Sequence, residues 1–375
     1  MISNTLEKWE EKTLGEVCEI ISGTTPDTSN DEFWGKGNYW ITPAEINENS
    51  LYINSTARTI TDKAVEYCSL RRMPRGTVLF SSRAPIGKIA ISNVDSLYCN
   101  QGFKNFICSK NIHNKFLYYF LLKSRKYLIS LGKGATFKEV SKSIISTVNI
   151  QYPPLPEQER IVAKLDKSFE AIDKVKANAE QNLNNAKELF DGYLENIVAP
   201  KDKLGKYIKI TTGKLNSNAA IENGQYPFFT CSRTPLRINN YSFDCEAILL
   251  AGNNASGDFN VKHYKGKFNA YQRTYVITIQ DKSKLNYRYL YFQLFKALAE
   301  LKKMSLGANT KFLRVGMITD FMLSMPTIEE QQKIVEKLDA LQEQTKQLEA
   351  IYTQKIKECD ELKQSILQKA FRGEL

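Results

Sequence analysis

Pro153-Pro154-Leu155-Pro156-Glu157-Gln158-Glu159-Arg160-Ile161-Val162-Ala163-Lys164-Leu165-Asp166 returns later in the chain as Pro326-Thr327-Ile328-Glu329-Glu330-Gln331-Gln332-Lys333-Ile334-Val335-Glu336-Lys337-Leu338-Asp339. The proline, the glutamine, Ile-Val and Lys-Leu-Asp all recur at one offset, 173. Phe116-Leu117-Tyr118-Tyr119 meets Tyr289-Leu290-Tyr291-Phe292 at the same offset, and so does Gly134-Ala135 with Gly307-Ala308. Further back, Leu14-Gly15 and Gly23 meet Leu204-Gly205 and Gly213 at an offset of 190. Four matches in order along the chain define a tandem duplication. The fall from 190 to 173 puts 17 extra residues into the N-terminal half of the first copy, where loops accept them most readily.

Each copy divides in two. The front parts hold short β-branched and aromatic runs separated by Gly, Pro, Asn and Ser, which read as strands. Examples are Thr77-Val78-Leu79-Phe80, Lys88-Ile89-Ala90-Ile91, Asn105-Phe106-Ile107, Ala247-Ile248-Leu249-Leu250 and Thr274-Tyr275-Val276-Ile277-Thr278-Ile279. Residues 115–128 and 287–304 read as helices. The expected fold class is α+β, with mixed, β-rich domains at 1–152 and 201–325 and long helices at 153–200 and 326–375.

The helices begin after prolines, which are tolerated only in a first turn. Leu165, Ser168, Ile172, Val175, Ala179, Leu183, Ala186, Phe190, Tyr193 and Ile197 follow steps of three and four in the first, alternating except for two successive fours at Val175–Ala179–Leu183. In the second, Leu338, Leu341, Thr345, Leu348, Tyr352, Lys355, Cys359, Leu362 and Ile366 alternate threes and fours throughout. This is a heptad seam, interrupted by Gly192 in one helix and by polar Thr345 and Lys355 in the other. About 40 residues at 1.5 Å each give ~60 Å, longer than a small domain is wide. The simplest expectation is an antiparallel coiled coil between the two, giving a pseudo-two-fold molecule; the alternative is that each helix pairs with another protein.

The 375 residues carry a net charge of +11, with 19 Tyr and 19 Phe, a balance that points first to nucleic acid. Seven scattered cysteines without a CxxC pair argue against a disulfide framework or zinc module and for a cytoplasmic protein. No apolar run approaches a membrane span, and Met1-Ile2-Ser3-Asn4 leads into charged residues rather than a signal core, so no membrane partner is expected.

Enzyme signatures fail one by one. Gly87-Lys88 has Ser82 where a phosphate loop needs its first glycine, and Gly35-Lys36-Gly37 is followed three positions later by Trp40. With only two histidines, His113 and His263, a His-based metal site or triad is not expected. Tyr152-Pro153-Pro154-Leu155 fits an amino-methyltransferase signature only superficially. Pro26-Asp27 has no acid-x-Lys follower of the nuclease kind, and Glu361-Leu362-Lys363 lies on the heptad helix. No catalytic residue, metal or cofactor is expected.

The repeated helix openings, together with the C-terminal Ser365-Ile366-Leu367-Gln368-Lys369-Ala370-Phe371-Arg372-Gly373-Glu374-Leu375, resemble the specificity (S) subunits of type I restriction–modification enzymes. Ser22-Gly23-Thr24-Thr25-Pro26, Tyr39-Trp40-Ile41-Thr42-Pro43, Phe80-Ser81-Ser82-Arg83-Ala84-Pro85-Ile86-Gly87-Lys88 and Asn100-Gln101-Gly102-Phe103 are similar to that family's first target-recognition domains. The second copy departs from the pattern, with Ala251-Gly252-Asn253-Asn254 in place of Ser81-Ser82-Arg83-Ala84. The resemblance implies a non-catalytic subunit that holds two modification (methyltransferase) subunits, joined by restriction (translocase/endonuclease) subunits. It implies that each domain reads half of a bipartite, asymmetric site in double-stranded DNA, with the helices setting the gap. Two alternatives stay open: a targeting subunit with a single fused enzyme partner, and a coiled-coil scaffold whose basic domains bind acidic partners.

Direct readout asks for Arg or Lys against guanine and Asn or Gln against adenine, with hydroxyl and small groups against phosphate. In the first domain the candidates are Ser81, Ser82, Arg83 and Lys88, then Asn100, Gln101 and Lys104, then Lys133, Thr136 and Lys138 around Gly134. In the second they are Asn253, Asn254 and Ser256, then Gln272 and Arg273, then Asn309, Thr310 and Lys311.

Overall fold

A computed structural model of the chain describes residues 9–47, 50–134, 138–197 and 199–375. They form two compact units, Met1–Asn178 with Lys355–Leu375, and Ala179–Gln354.

In the first unit the strand Glu10–Thr13 pairs antiparallel with Asn149–Tyr152, tying the start of the domain to the segment that feeds the long helix. A five-stranded sheet runs in the order Cys18–Ile21, Asn105–Cys108, Val78–Phe80, Ile89–Ser92, Tyr52–Ile53. The three residues Val78, Leu79 and Phe80 are all buried because both faces of this sheet are covered. Val78 and Phe80 point into a core with Phe106, Phe116 and Leu117, while Leu79 points to the other side with Ala90 and Phe103. A three-stranded sheet of Arg58–Ile60, Trp34–Ile41 and Leu97–Cys99 completes the domain. The helix expected over 115–128 is two, Asn114–Lys123 and Arg125–Ser130, divided at Ser124.

The second unit repeats the plan. Lys201–Lys203 pairs with Met322–Ser324, and a six-stranded sheet runs Ile208–Thr212, Thr274–Ile279, Phe243–Ala251, Val261–Ala270, Tyr226–Phe229, Leu236–Ile238. Ile248 and Leu250 face the helix Tyr287–Met304, and Ala247 and Leu249 face Phe229 and Phe268.

The duplicated motif has the same bonding in both copies. Gln158 is fully buried; its Oε1 accepts from His113 N at 2.9 Å and its Nε2 donates to Asn111 O at 2.9 Å and Pro153 O at 2.8 Å. Gln331, also fully buried, accepts from Asn286 N at 2.9 Å and donates to Lys284 O at 2.9 Å and Pro326 O at 3.0 Å. The aspartate of Lys-Leu-Asp is likewise reused. Asp166 meets Lys115 at 2.7 Å, and Asp339 meets Arg288 at 2.6 Å. Gly23 and Gly213 are required by close backbone approach, since a Cβ on either would lie 1.7 Å from the carbonyl oxygen of Cys99 or of Ala270.

The long helices span Leu155–Glu195 and Ile328–Ala370, and Gly192 does not break the first. Within the first unit Lys176 pairs with Asp360 at 2.8 Å and Lys363 pairs with Asp173. Within the second, Lys187 pairs with Glu349 at 3.6 Å and Thr345 Oγ1 donates to Ala186 O at 3.3 Å. In the first unit the two helices thus run antiparallel, one rising in number as the other falls; in the second, Phe190 and Leu194, further along the first helix than Lys187, cluster with Leu338 and Leu341, further back along the second than Glu349, which gives the same sense.

The expected seam holds along most of the first helix and departs on the second, at Leu348, Lys355 and Leu362. Leu165, Ile172, Ala179, Ala186 and Phe190 are buried, Leu183 and Ile197 half-buried, and Val175 is exposed. On the second helix the covered stripe is Gln331, Val335, Leu338, Gln342, Thr345, Glu349, Tyr352, Ile356, Cys359, Lys363, Ile366 and Ala370. Leu338 and Leu341 are buried, but Leu348 and Leu362 are 36% and 50% exposed and leave the seam. The reason is at the two ends. Val335 must enter the core of the second unit, and Leu367, Ala370 and Phe371 must enter that of the first, which fixes a four-three rather than a three-four step.

Candidate nucleic-acid interface

The three segments singled out in each copy are separate in sequence, and backbone hydrogen bonds bring them together. In the first copy Ser82 N donates to Gly102 O at 2.8 Å and Val140 N donates to Ser82 O at 2.9 Å. The second copy makes the same two bonds: Gly252 N to Arg273 O at 2.8 Å and Leu313 N to Gly252 O at 2.9 Å. A glutamine is held by a side chain in both, through its oxygen in the first copy and its nitrogen in the second. Gln101 Oε1 accepts from Thr25 Oγ1 at 2.8 Å, and Gln272 Nε2 donates to Asn216 Oδ1 at 2.6 Å.

On this shared frame the side chains differ. In the first copy Arg83 Nε donates to Glu139 Oε2 at 2.8 Å and Lys104 Nζ donates to Glu139 Oε1 at 3.0 Å. Glu139 is also exchanged backbone to backbone with Lys133, at 2.9 and 3.0 Å. Burial alone would raise the Glu139 carboxyl, but the hydrogen bonds from Lys104 and Arg83 outweigh it and hold the group below the ordinary glutamate range. At the matching places the second copy has Asn253 for Arg83, Tyr275 for Lys104 and Phe312 for Glu139. Tyr275 turns its hydroxyl onto Leu313 O at 2.7 Å, so no charge is buried there.

Not every sequence candidate reaches the surface. Ser81 and Ser82 are fully buried; Ser81 Oγ donates to Pro85 O at 2.7 Å and accepts from Lys88 N at 2.8 Å, closing the turn from within. Lys104 is 6% exposed, because its ammonium is required by Glu139. These three shape the surface instead of forming it. Lys88 is half-buried with its ammonium on Ile46 O at 3.0 Å, and Asn100 Oδ1 accepts from Gly102 N at 3.0 Å. Arg83, Gln101, Lys133 and Lys138 are exposed, and Thr136 lies outside the described residues.

In the second copy Asn253 and Asn254 pair with Phe312 and Lys311, joining two of the three segments directly. Asn254 Oδ1 gathers Ser256 N at 2.9 Å and Ser256 Oγ at 3.0 Å, and Asn253 Oδ1 accepts from Cys231 Sγ at 3.0 Å. Gln272, Arg273, Ser256, Asn309 and Thr310 are exposed, and Lys311 is half-buried. Sequence reasoning missed Glu139, an acid in a lysine-rich loop, and Cys231. Only the fold brings either to the site.

Among the described residues there is no group of three or more His, Cys, Asp or Glu able to hold a metal ion, and no helix is long and apolar enough to cross a membrane.

Residues 6–185 and 203–358 match the family model of the type I restriction modification DNA specificity domain. The chain is 39% identical over 189 residues to the type I restriction enzyme MjaIX specificity subunit of Methanocaldococcus jannaschii, covering 49% of this chain and 43% of that one. It is 42% identical over 173 residues to the EcoDI specificity subunit of Escherichia coli, covering 46% of this chain and 38% of the relative. The matched segment therefore spans about two-fifths of each of these relatives. Among solved structures, one from a study of complex assembly and conformational transition in the type I R-M system superposes with a TM-score of 0.78 at 22% identity, over 98% of both chains. The HsdS subunit from Thermoanaerobacter tengcongensis gives 0.59 at 21% identity over 98% of this chain and 97% of that one. With the duplicated frame and both halves of the family model in place, the chain belongs to the family of the type I restriction modification DNA specificity domain.

Proposed function

We propose that this chain is the DNA-specificity subunit of a type I restriction–modification complex and performs no chemistry itself. Its two domains read the two halves of a bipartite, asymmetric site in double-stranded DNA, and its long helices serve modification subunits and, where a system has them, restriction subunits. The observation that carries this reading is one backbone frame used twice with different side chains. Ser82–Gly102–Val140 and Gly252–Arg273–Leu313 make the same hydrogen bonds, while Arg83, Lys104 and Glu139 give way to Asn253, Tyr275 and Phe312. A preserved frame with exchanged polar groups suits a surface that reads two unlike sequences. All seven cysteines are free thiols, which supports placement in the cytoplasm.

The test is single-molecule methylome sequencing of the host with and without the gene. Loss of methylation at one interrupted, asymmetric motif is expected. An unchanged methylome would favour instead a scaffold whose basic domains bind acidic proteins.

A further inference from the structure

Glu139 sits where an acid works against the proposed ligand, since a carboxylate on a DNA-facing surface repels phosphate. Its neighbours show what it does. Arg83 reaches it through Nε at 2.8 Å, and Lys104 occupies the other oxygen at 3.0 Å. The Lys104 side chain is only 8% exposed, so the carboxylate's single negative charge is met by a cation from beneath. The Arg83 side chain is 46% exposed, and Nη1 and Nη2 make no hydrogen bond to any described residue.

A guanidinium offers five N–H donors in a rigid planar fork. Holding Nε restricts the guanidinium and leaves the Nη1–Nη2 edge to pair with a ligand. Two parallel donors on one edge match the O6 and N7 acceptors of guanine in the major groove. An arginine held in that pose beforehand has less side-chain freedom to lose when it meets the base. The second copy cannot do this, because Asn253, Tyr275 and Phe312 stand at the three positions.

We infer that Glu139 is a positioning residue for the first half-site: it aims the Arg83 fork at a guanine, with Lys104 cancelling its charge. This rests on the reading of the chain as a DNA-specificity subunit. The base recognised through Arg83 is a guanine, and the second domain reads its half-site without such a device.

The full chain with its modification subunits is used to select binders from a randomised duplex pool, as wild type, Glu139→Gln and Arg83→Lys. Wild type is expected to return a two-part motif with a guanine in the half that Arg83→Lys blurs. Glu139→Gln keeps the size of the side chain, and should lower preference for that guanine about tenfold while leaving the other half sharp. Affinity for random competitor DNA should stay level or rise, because a negative charge has gone. A motif equally sharp in both halves for Glu139→Gln overturns the inference. So does blurring of both halves with a fall in random-DNA affinity, which would assign Glu139 to the fold. Failure of the wild type to select any two-part motif would instead remove the underlying reading.

Discussion

At the scale of single residues, the glutamine of the repeated motif is a structural clamp. Each carboxamide spends its oxygen on a backbone N–H and its nitrogen on two carbonyls, with no water access. Gln158→Leu would leave three backbone groups, one buried and two part-buried, without their partner, and we expect a loss of about 2–4 kcal/mol, read as a lower urea midpoint. Gln158→Glu should be at least as damaging, because its oxygens would face two carbonyl oxygens. Wild-type stability in either variant would contradict the clamp. The sequence showed that this glutamine recurs; it did not show why, because its partners lie 45 and 47 residues away in chain order.

Glu139 makes a second prediction at this scale. Its carboxyl titrates below the ordinary value of 4.5, so the contribution of its ion pairs is present above that value and is lost as pH falls through the lowered one. Preference for the first half-site should therefore be flat between pH 6 and 8 in binding assays. A titration centred in that window would show that another group governs it. Glu139 was invisible in the sequence because an acid flanked by Lys138 and Lys142 reads as ordinary surface charge, and its partners Arg83 and Lys104 come from two other segments.

At the scale of elements, the long helices and five of the twenty strands among the described residues were legible from periodicity. Thr274–Ile279 and Tyr287–Met304 lie where the pattern put them. The seam of the second helix was legible only in part. Leu348 and Leu362 made a three-four stripe look as apolar as the four-three stripe, which carries Gln342, Glu349 and Lys363. Heptad counting cannot separate two stripes one residue apart; the domain cores at the helix ends do so. Leu367→Ala, at a fully buried position, should destabilise its unit by about 2–5 kcal/mol. Leu362→Ala, at a half-exposed position, should change stability by less than about 0.5 kcal/mol. Thermal melts that rank the two the other way would restore the three-four seam.

At the scale of the whole molecule, a net charge of +11 meets a ligand bearing one charge every ~1.7 Å, so affinity should fall steeply with salt. Lys138 is exposed; if it meets phosphate, Lys138→Ala should reduce the salt slope by about 1 and leave sequence preference intact. Arg273, exposed on the second frame, should behave differently: Arg273→Ala is expected to weaken specific binding by about 1–3 kcal/mol and to blur the second half of the motif alone. Composition and repetition were enough to suggest a basic protein with two similar readers. That the two domains share a hydrogen-bonded frame and differ on it could be seen only once the strands were paired.

The central claim is that each copy reads its own half of the target. The direct measurement is to replace residues 9–152 with the corresponding domain of a relative, keep the rest of the chain, and sequence the host's methylated motif. The account predicts that one half of the motif changes to the donor's while the other half stays as it was. A motif unchanged in both halves, or altered in both at once, would contradict it.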